Sequence, residues 1–186
     1  MMQEISREEL LDKVEQSAAE FERELHGCGR CALAALMQHF ELAHESATEY
    51  ILKALLPLSG GITGTQNTCG ALLGGLMAIG MASFPGKIED ADMEAIRATM
   101  ALGRQYYRQY ERELGNVHCR DIRAIGLGRS FDTADPDEYE RFKEAGGYEL
   151  CSKVVGRAAR LAGEYILDIQ EQQRKTHETS ITNQKA

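Results

Sequence analysis

The chain has 186 residues, 43% of them hydrophobic and 27% charged, with 21 basic against 29 acidic side chains and a formal net charge of −8. That apolar fraction excludes a disordered chain, three prolines exclude a collagen-like or proline-rich one, and the acidic balance argues against a nucleic-acid partner. The five cysteines are an odd number, so they cannot all pair within one chain, and a domain of this size builds its core without such staples.

Alanine and leucine, at 22 and 19, far outnumber valine at 4, and there is no tryptophan. Ala and Leu lose little side-chain freedom in a helix and β-branched residues lose more, so the expected fold class is all-α. The segment Met1-Met2-Gln3-Glu4-Ile5-Ser6 is polar and acidic, without the basic patch and apolar run of a secretory signal. The expected location is cytoplasmic, where thiols serve as metal ligands, redox groups or core residues rather than structural disulfides.

In chain order, Ser6-Arg7-Glu8-Glu9 is a capping box opening a helix to about Leu25. A second helix starts near Cys28 or Gly29 and carries Cys31, Leu33, Leu36, Met37 and Phe40 at helical spacing. Ser46-Ala47-Thr48-Glu49 matches a capping box for a third, which Pro57 ends. Ser59 to Thr68 is a Gly-rich loop; it lacks the Gly-Lys-Ser/Thr order and preceding strand of a phosphate-binding loop, so its expected role is to turn the chain into the next helix. That helix, Cys69 to Phe84, is apolar all round and therefore buried, and it falls short of the roughly 20 residues that span a bilayer. Gly70, Gly74 and Ala78 lie four apart on one of its faces and admit a close neighbour. A long amphipathic helix follows from about Ala91 to Leu114, then a short one capped by Asn116, a loop from Gly126 to Pro136, a short helix with Pro136 in its first turn, and a final helix from Gly147 to about Gln173. The chain thus reads as one helical domain over 1–175, a compact multi-helix bundle around the Gly/Ala-rich helix, with a polar, frayed tail over 176–186.

Each cysteine falls near a predicted helix start: Cys28 and Cys31 after Gly27, Cys69 after Thr68, Cys119 after Asn116, and Cys151 after Gly146-Gly147. Unpaired amides and the helix dipole stabilise a thiolate there, which makes it a better nucleophile or metal ligand. Cysteines also fill cores as small hydrophobes. Cys28-Gly29-Arg30-Cys31 is a C-x-x-C unit, but no strands provide a thioredoxin-like setting, Ala32 stands where haem attachment needs His, and no second C-x-x-C follows. Any shared site must be assembled from separate helices. His118 beside Cys119 is expected at the surface or in a cap. His39 and His44 do not share a helix face, and Asp132, Asp135, Asp137 and Glu138 read as a solvated loop.

At Cys69-Gly70-Ala71-Leu72-Leu73-Gly74 the sequence resembles the redox-active proteins named for a C_GCAxxG_C_C cysteine pattern. The likeness extends to Cys31-Ala32, to the Gly-rich approach from Gly60, to Gly115-Asn116-Val117-His118-Cys119-Arg120, and to Cys151-Ser152-Lys153-Val154-Val155, together spanning roughly residues 26 to 170. It implies a helical domain with a redox role and a four-cysteine site, here Cys31, Cys69, Cys119 and Cys151. Cys28 is implied as a substitute ligand or resolving thiol. A similar domain accompanies haems and an iron–sulfur centre in split-Soret cytochromes. The Gly-Cys-Ala order of the pattern stands here as Cys69-Gly70-Ala71 and the haem-attachment signature is missing, so covalent haem is not expected.

The leading expectation is a redox or electron-transfer protein whose four cysteines bind an iron–sulfur cluster, most simply a two-iron one, and which works with a redox partner protein. Two alternatives stay open. One is a metal-free thiol–disulfide oxidoreductase using Cys28 with Cys31, or Cys69. The other is a structural or zinc-binding interaction module. No nucleophile–base pair identifies a substrate. Tyr106, Tyr107 and Tyr110 on the long helix could serve a homodimer interface, although at this spacing aromatic residues more often face a core.

Overall fold

A computed structural model describes residues 5–84 and 87–184; the start of the amino-terminal segment, residues 1–4, and the last two residues of the predicted tail lie outside them. The described residues form α1 (Arg7–Leu25), α2 (Cys28–His39), α3 (Glu45–Ala54), α4 (Gly70–Ser83), α5 (Met93–Leu114), α6 (Cys119–Leu127), α7 (Pro136–Glu144) and α8 (Gly147–Gln184), with 3-10 turns at Leu56–Leu58 and Ile88–Asp90. No strand occurs among them, and the all-α expectation holds.

Local chemistry sets most helix ends. At α1 the capping box forms in both directions: Glu9 N donates to Ser6 Oγ at 3.2 Å and Ser6 N to Glu9 Oε2 at 2.9 Å. Asp92 and Asp135 cap α5 and α7 by accepting from Ala95 N and Glu138 N, and Pro136 takes the first helical position, where no amide is needed. The predicted box at Ser46 does not form. His44 caps α3 instead, its ring accepting from Ser46 N at 3.3 Å, because the helix begins two residues earlier. Asn116 accepts from the amides of Val117 and His118 in a turn ahead of α6, which leaves His118 at the cap position. The last helix continues past Gln173 through the predicted tail; Lys175 and Glu171, one turn apart, pair along it.

None of residues 70–84 is fully exposed, as an all-round apolar helix requires. α4 packs against α2, α8 and α5. α8 is as central: α1, α2, α4, α5, α6 and α7 all contact it. The small-residue face of α4 meets α2, and a side chain at Gly74 would overlap the carbonyl of Gly29. Tyr106 and Tyr110 belong to the core of this chain, edge to face with centroids 6.2 Å apart, and Tyr106 donates to Ala158 O at 3.2 Å. Only Tyr107 of the three tyrosines reaches the surface.

Candidate functional site

Cys28 is the first residue of α2, Cys69 the N-cap of α4 and Cys119 the first residue of α6; Cys151 lies early in α8. Cys69 and Cys119 are clamped side by side by backbone pairing. Cys69 N donates to Val117 O at 2.8 Å and Cys119 N to Asn67 O at 2.7 Å, around an isolated antiparallel bridge between Thr68 and His118. The Gly-rich loop makes this approach possible. At Gly61, φ is +73° and a Cβ would stand 2.7 Å from Cys119 Cβ and 2.6 Å from Asn67 N, so only glycine fits beneath the pair. Gly70 plays the matching part for Cys28: its missing Cβ leaves room for Cys28 Sγ.

These four cysteines line one cavity of about 220 Å³ between the ends of α1, α2, α4, α6 and α8. Its wall is apolar and aromatic, with Ile122, Phe142, Tyr148, Val154 and Val155, and carries the buried side chains of Glu22 and Arg123. His26 stacks on Tyr148 at 4.0 Å between centroids, and its Nδ1 donates to the backbone carbonyl of Glu22, 2.8 Å away. Arg123 Nη1 donates to Phe131 O at 3.2 Å while its guanidinium lies 4.5 Å over the Phe142 ring.

Of the expected ligand set, Cys69, Cys119 and Cys151 share this cavity, and the fourth thiol there is Cys28. Cys31 does not line it. Its thiol donates to His26 O at 3.3 Å, and it faces a separate groove with Leu25, Arg30, Leu52 and Leu56. Three residues along a helix are 300° of rotation, so the two sulfurs of the C-x-x-C unit diverge by about 60° and meet different neighbours. Cys28 is paired with Cys69 rather than with Cys31. All five cysteines are free thiols.

The thiols are electrostatically unlike. Cys69 is pulled down to about 6 by the Cys28 thiol that faces it, helped by the Tyr110 hydroxyl and the amides of Ala71 and Leu72 at the start of α4, all working against burial. Cys28 is pushed up by the same contact and by burial, so the pair holds one proton. Burial raises Cys119 to about 11 and Cys151 to about 12, in both cases against the pull of Arg123. Burial likewise raises Cys31 to about 12, reinforced by the charge of Glu22 and its hydrogen bond. Glu22, in turn, is raised to about 7 by burial.

Among the described residues, no three His, Cys, Asp or Glu side chains stand close enough to hold a single metal ion. Four thiols line the cavity and a thiolate is already favoured at Cys69, a donor set that zinc and iron–sulfur centres both use.

Glu22, Ser59, Tyr110 and Arg123 were not legible as site residues. A signal for two of them existed: Glu22 continues the buried row Leu11, Val14, Ala18 of α1, and Arg123 lies one turn after Cys119, so each places a charge on an inward face. The other candidates have ordinary duties. His39 Nε2 bonds Ser17 Oγ at 3.0 Å, and Asp132 accepts from Ala134 N in a turn.

Among protein families, the model described as "Putative redox-active protein (C_GCAxxG_C_C)" matches residues 26–165, which include all five cysteines. No curated protein matches the chain, and no solved structure does.

Proposed function

The chain belongs to the C_GCAxxG_C_C family, and from that premise we propose that it is an electron-transfer protein in which Cys28, Cys69, Cys119 and Cys151 hold an iron–sulfur cluster. The observation that carries this reading is the convergence of four cysteines, from four different helices, on a single cavity. A bound cluster supplies one-electron chemistry, and a two-iron cluster is the smallest that uses four thiolates. The protein's own part is to hold and shield it. The first amides of α4 stabilise sulfur charge at Cys69, Arg123 offsets charge near Cys119 and Cys151, and the apolar and aromatic wall keeps water out. The electron comes from, and goes to, a redox partner protein.

The test is anaerobic purification followed by visible absorption and iron and acid-labile sulfide analysis. Coloured protein with iron and sulfide in equal amounts is the expected result. Colourless, iron-free protein that also resists reconstitution with iron and sulfide would overturn the reading.

The Cys28 thiol against the Cys69 thiolate favours a second reading, thiol–disulfide exchange. Cys69 would attack a disulfide of a substrate and release one thiolate. Cys28, losing its proton, would then attack Cys69 Sγ and release the other, so that two protein thiols become one disulfide while the substrate disulfide becomes two thiols. A Cys28–Cys69 bridge recovered by peptide mapping from metal-free oxidised protein would favour it.

A further inference from the structure

The unmet hydrogen-bonding capacity of the described interior is concentrated at this one site. The buried side-chain nitrogen and oxygen atoms without a partner are Glu22 Oε2, Ser59 Oγ, Tyr110 Oη and Arg123 Nε. Glu22, Ser59 and Arg123 line the four-thiol cavity, and Tyr110, itself fully buried on α5, faces the sulfur of Cys69. A folded chain seldom leaves several such groups unpaired in one place unless something absent from the polypeptide pairs them. Three of the four, Ser59 Oγ, Tyr110 Oη and Arg123 Nε, can donate, and the one unpaired acceptor, Glu22 Oε2, is bonded to none of them. Sulfide and thiolate sulfurs are acceptors only. Three donors against one acceptor match an acceptor-rich guest such as a sulfur-ligated centre.

Resting on the cluster reading above, we propose that Ser59, Tyr110 and Arg123 are the hydrogen-bond donors to the sulfur atoms of the centre and set its reduction potential. Tyr110 acts on the ligand sulfur of Cys69; Ser59 and Arg123 act from the cavity wall. Reduction adds one electron to the sulfur-ligated iron, and each donor N–H or O–H stabilises that added negative charge more than it stabilises the oxidised state. Removing a donor makes uptake of the electron less favourable and lowers the potential. Glu22 Oε2 is an acceptor and is not a member of this set.

Two readouts on the same variants test this. In the metal-free protein, Tyr110→Phe removes a hydroxyl that has no nitrogen or oxygen partner while the ring stays packed, so at a pH below about 6, where Cys69 carries its proton, the thermal midpoint stays where it is or rises. A purely structural tyrosine hydroxyl would instead lower it. In the iron- and sulfide-loaded protein, the reduction midpoint of Tyr110→Phe falls, with Ser59→Ala in the same direction; a tenfold loss in the reduction equilibrium reads as about 59 mV for one electron. Arg123→Lys keeps the charge but removes the Nε donor, and its fall is smaller than that of Arg123→Gln. Full iron and sulfide content with wild-type potentials in Tyr110→Phe and Ser59→Ala would overturn this inference and leave the cluster reading standing. Wild-type protein that takes up no iron or sulfide overturns both.

Discussion

A Cβ at Gly70 would stand 2.5 Å from the sulfur of Cys28. The first residue of α4 is thus glycine because the first residue of α2 places its thiol there, next to Cys69. The same absent Cβ would lie 2.8 Å from Leu58 O and 3.2 Å from Gly29 N, so no flexible side chain can give way on those two sides. Gly70→Ala is expected to displace Cys28 and to destabilise the protein by roughly 1–3 kcal/mol, an overpacking cost that exceeds the up to ~1 kcal/mol gained in helix propensity. Chemical denaturation gives the stability, and iron content after reconstitution reports whether Cys28 still reaches the site. An alanine variant as stable and as iron-rich as wild type would show that the contact relaxes freely.

The two cysteines of the C-x-x-C unit should separate cleanly by function. Cys28→Ser removes a cavity thiol and is expected to abolish stable iron and sulfide binding, whereas Cys31→Ser leaves both at wild-type stoichiometry because Cys31 faces another groove. Iron and acid-labile sulfide analysis of the two purified variants decides it. The opposite outcome would return Cys31 to the ligand set.

One thiolate should exist at neutral pH in the metal-free protein. Cys69, lowered to about 6 chiefly by Cys28, is expected to be ionised there while Cys119, at about 11, is not. Thiolate ultraviolet absorbance followed against pH should show a single group titrating near that value. The step vanishes in Cys69→Ser and moves up in Cys28→Ala and Tyr110→Phe, which each remove a donor to the sulfur. A titration unchanged by all three substitutions would assign the thiolate elsewhere.

Glu22 gives the metal-free protein a pH dependence of the unusual sign. Burial raises its folded-state value to about 7 from 4.5 in the unfolded chain. Below 4.5 both states are protonated and the group contributes nothing; between there and about 7 the unfolded chain loses a proton that the folded protein keeps. Stability therefore falls as pH rises through this window, by roughly 3 kcal/mol in full. Denaturant unfolding across the range should show this fall in wild type and its loss in Glu22→Gln. Parallel profiles for the two proteins would show that the carboxyl is not desolvated.

Helix existence, several helix starts and the clustering of cysteines near them were legible because they are local. The Ser6–Glu9 capping box and Pro136 in a first turn are settled within a few residues of chain, and an all-round apolar stretch such as 70–83 has only one stable place, inside. The choice between Cys28 and Cys31 is different in kind. Both lie at the start of α2 on neighbouring rows, and which row faces the cavity depends on how α2 is rotated about its axis, which is fixed by the close approach of Gly29 to Gly74 and of Cys28 to Gly70. Glu22, Tyr110 and Arg123 come to the site from α1, α5 and α6, far apart in the chain, through the packing of those helices around α2, α4 and α8. The sequence by itself determined a bundle of helices with thiols at their positively polarised ends. Only the tertiary structure decided which four share a cavity and which polar groups were left waiting there, since a helix's own residues specify its span and its apolar side but the angle at which it meets its neighbours is set by their side chains.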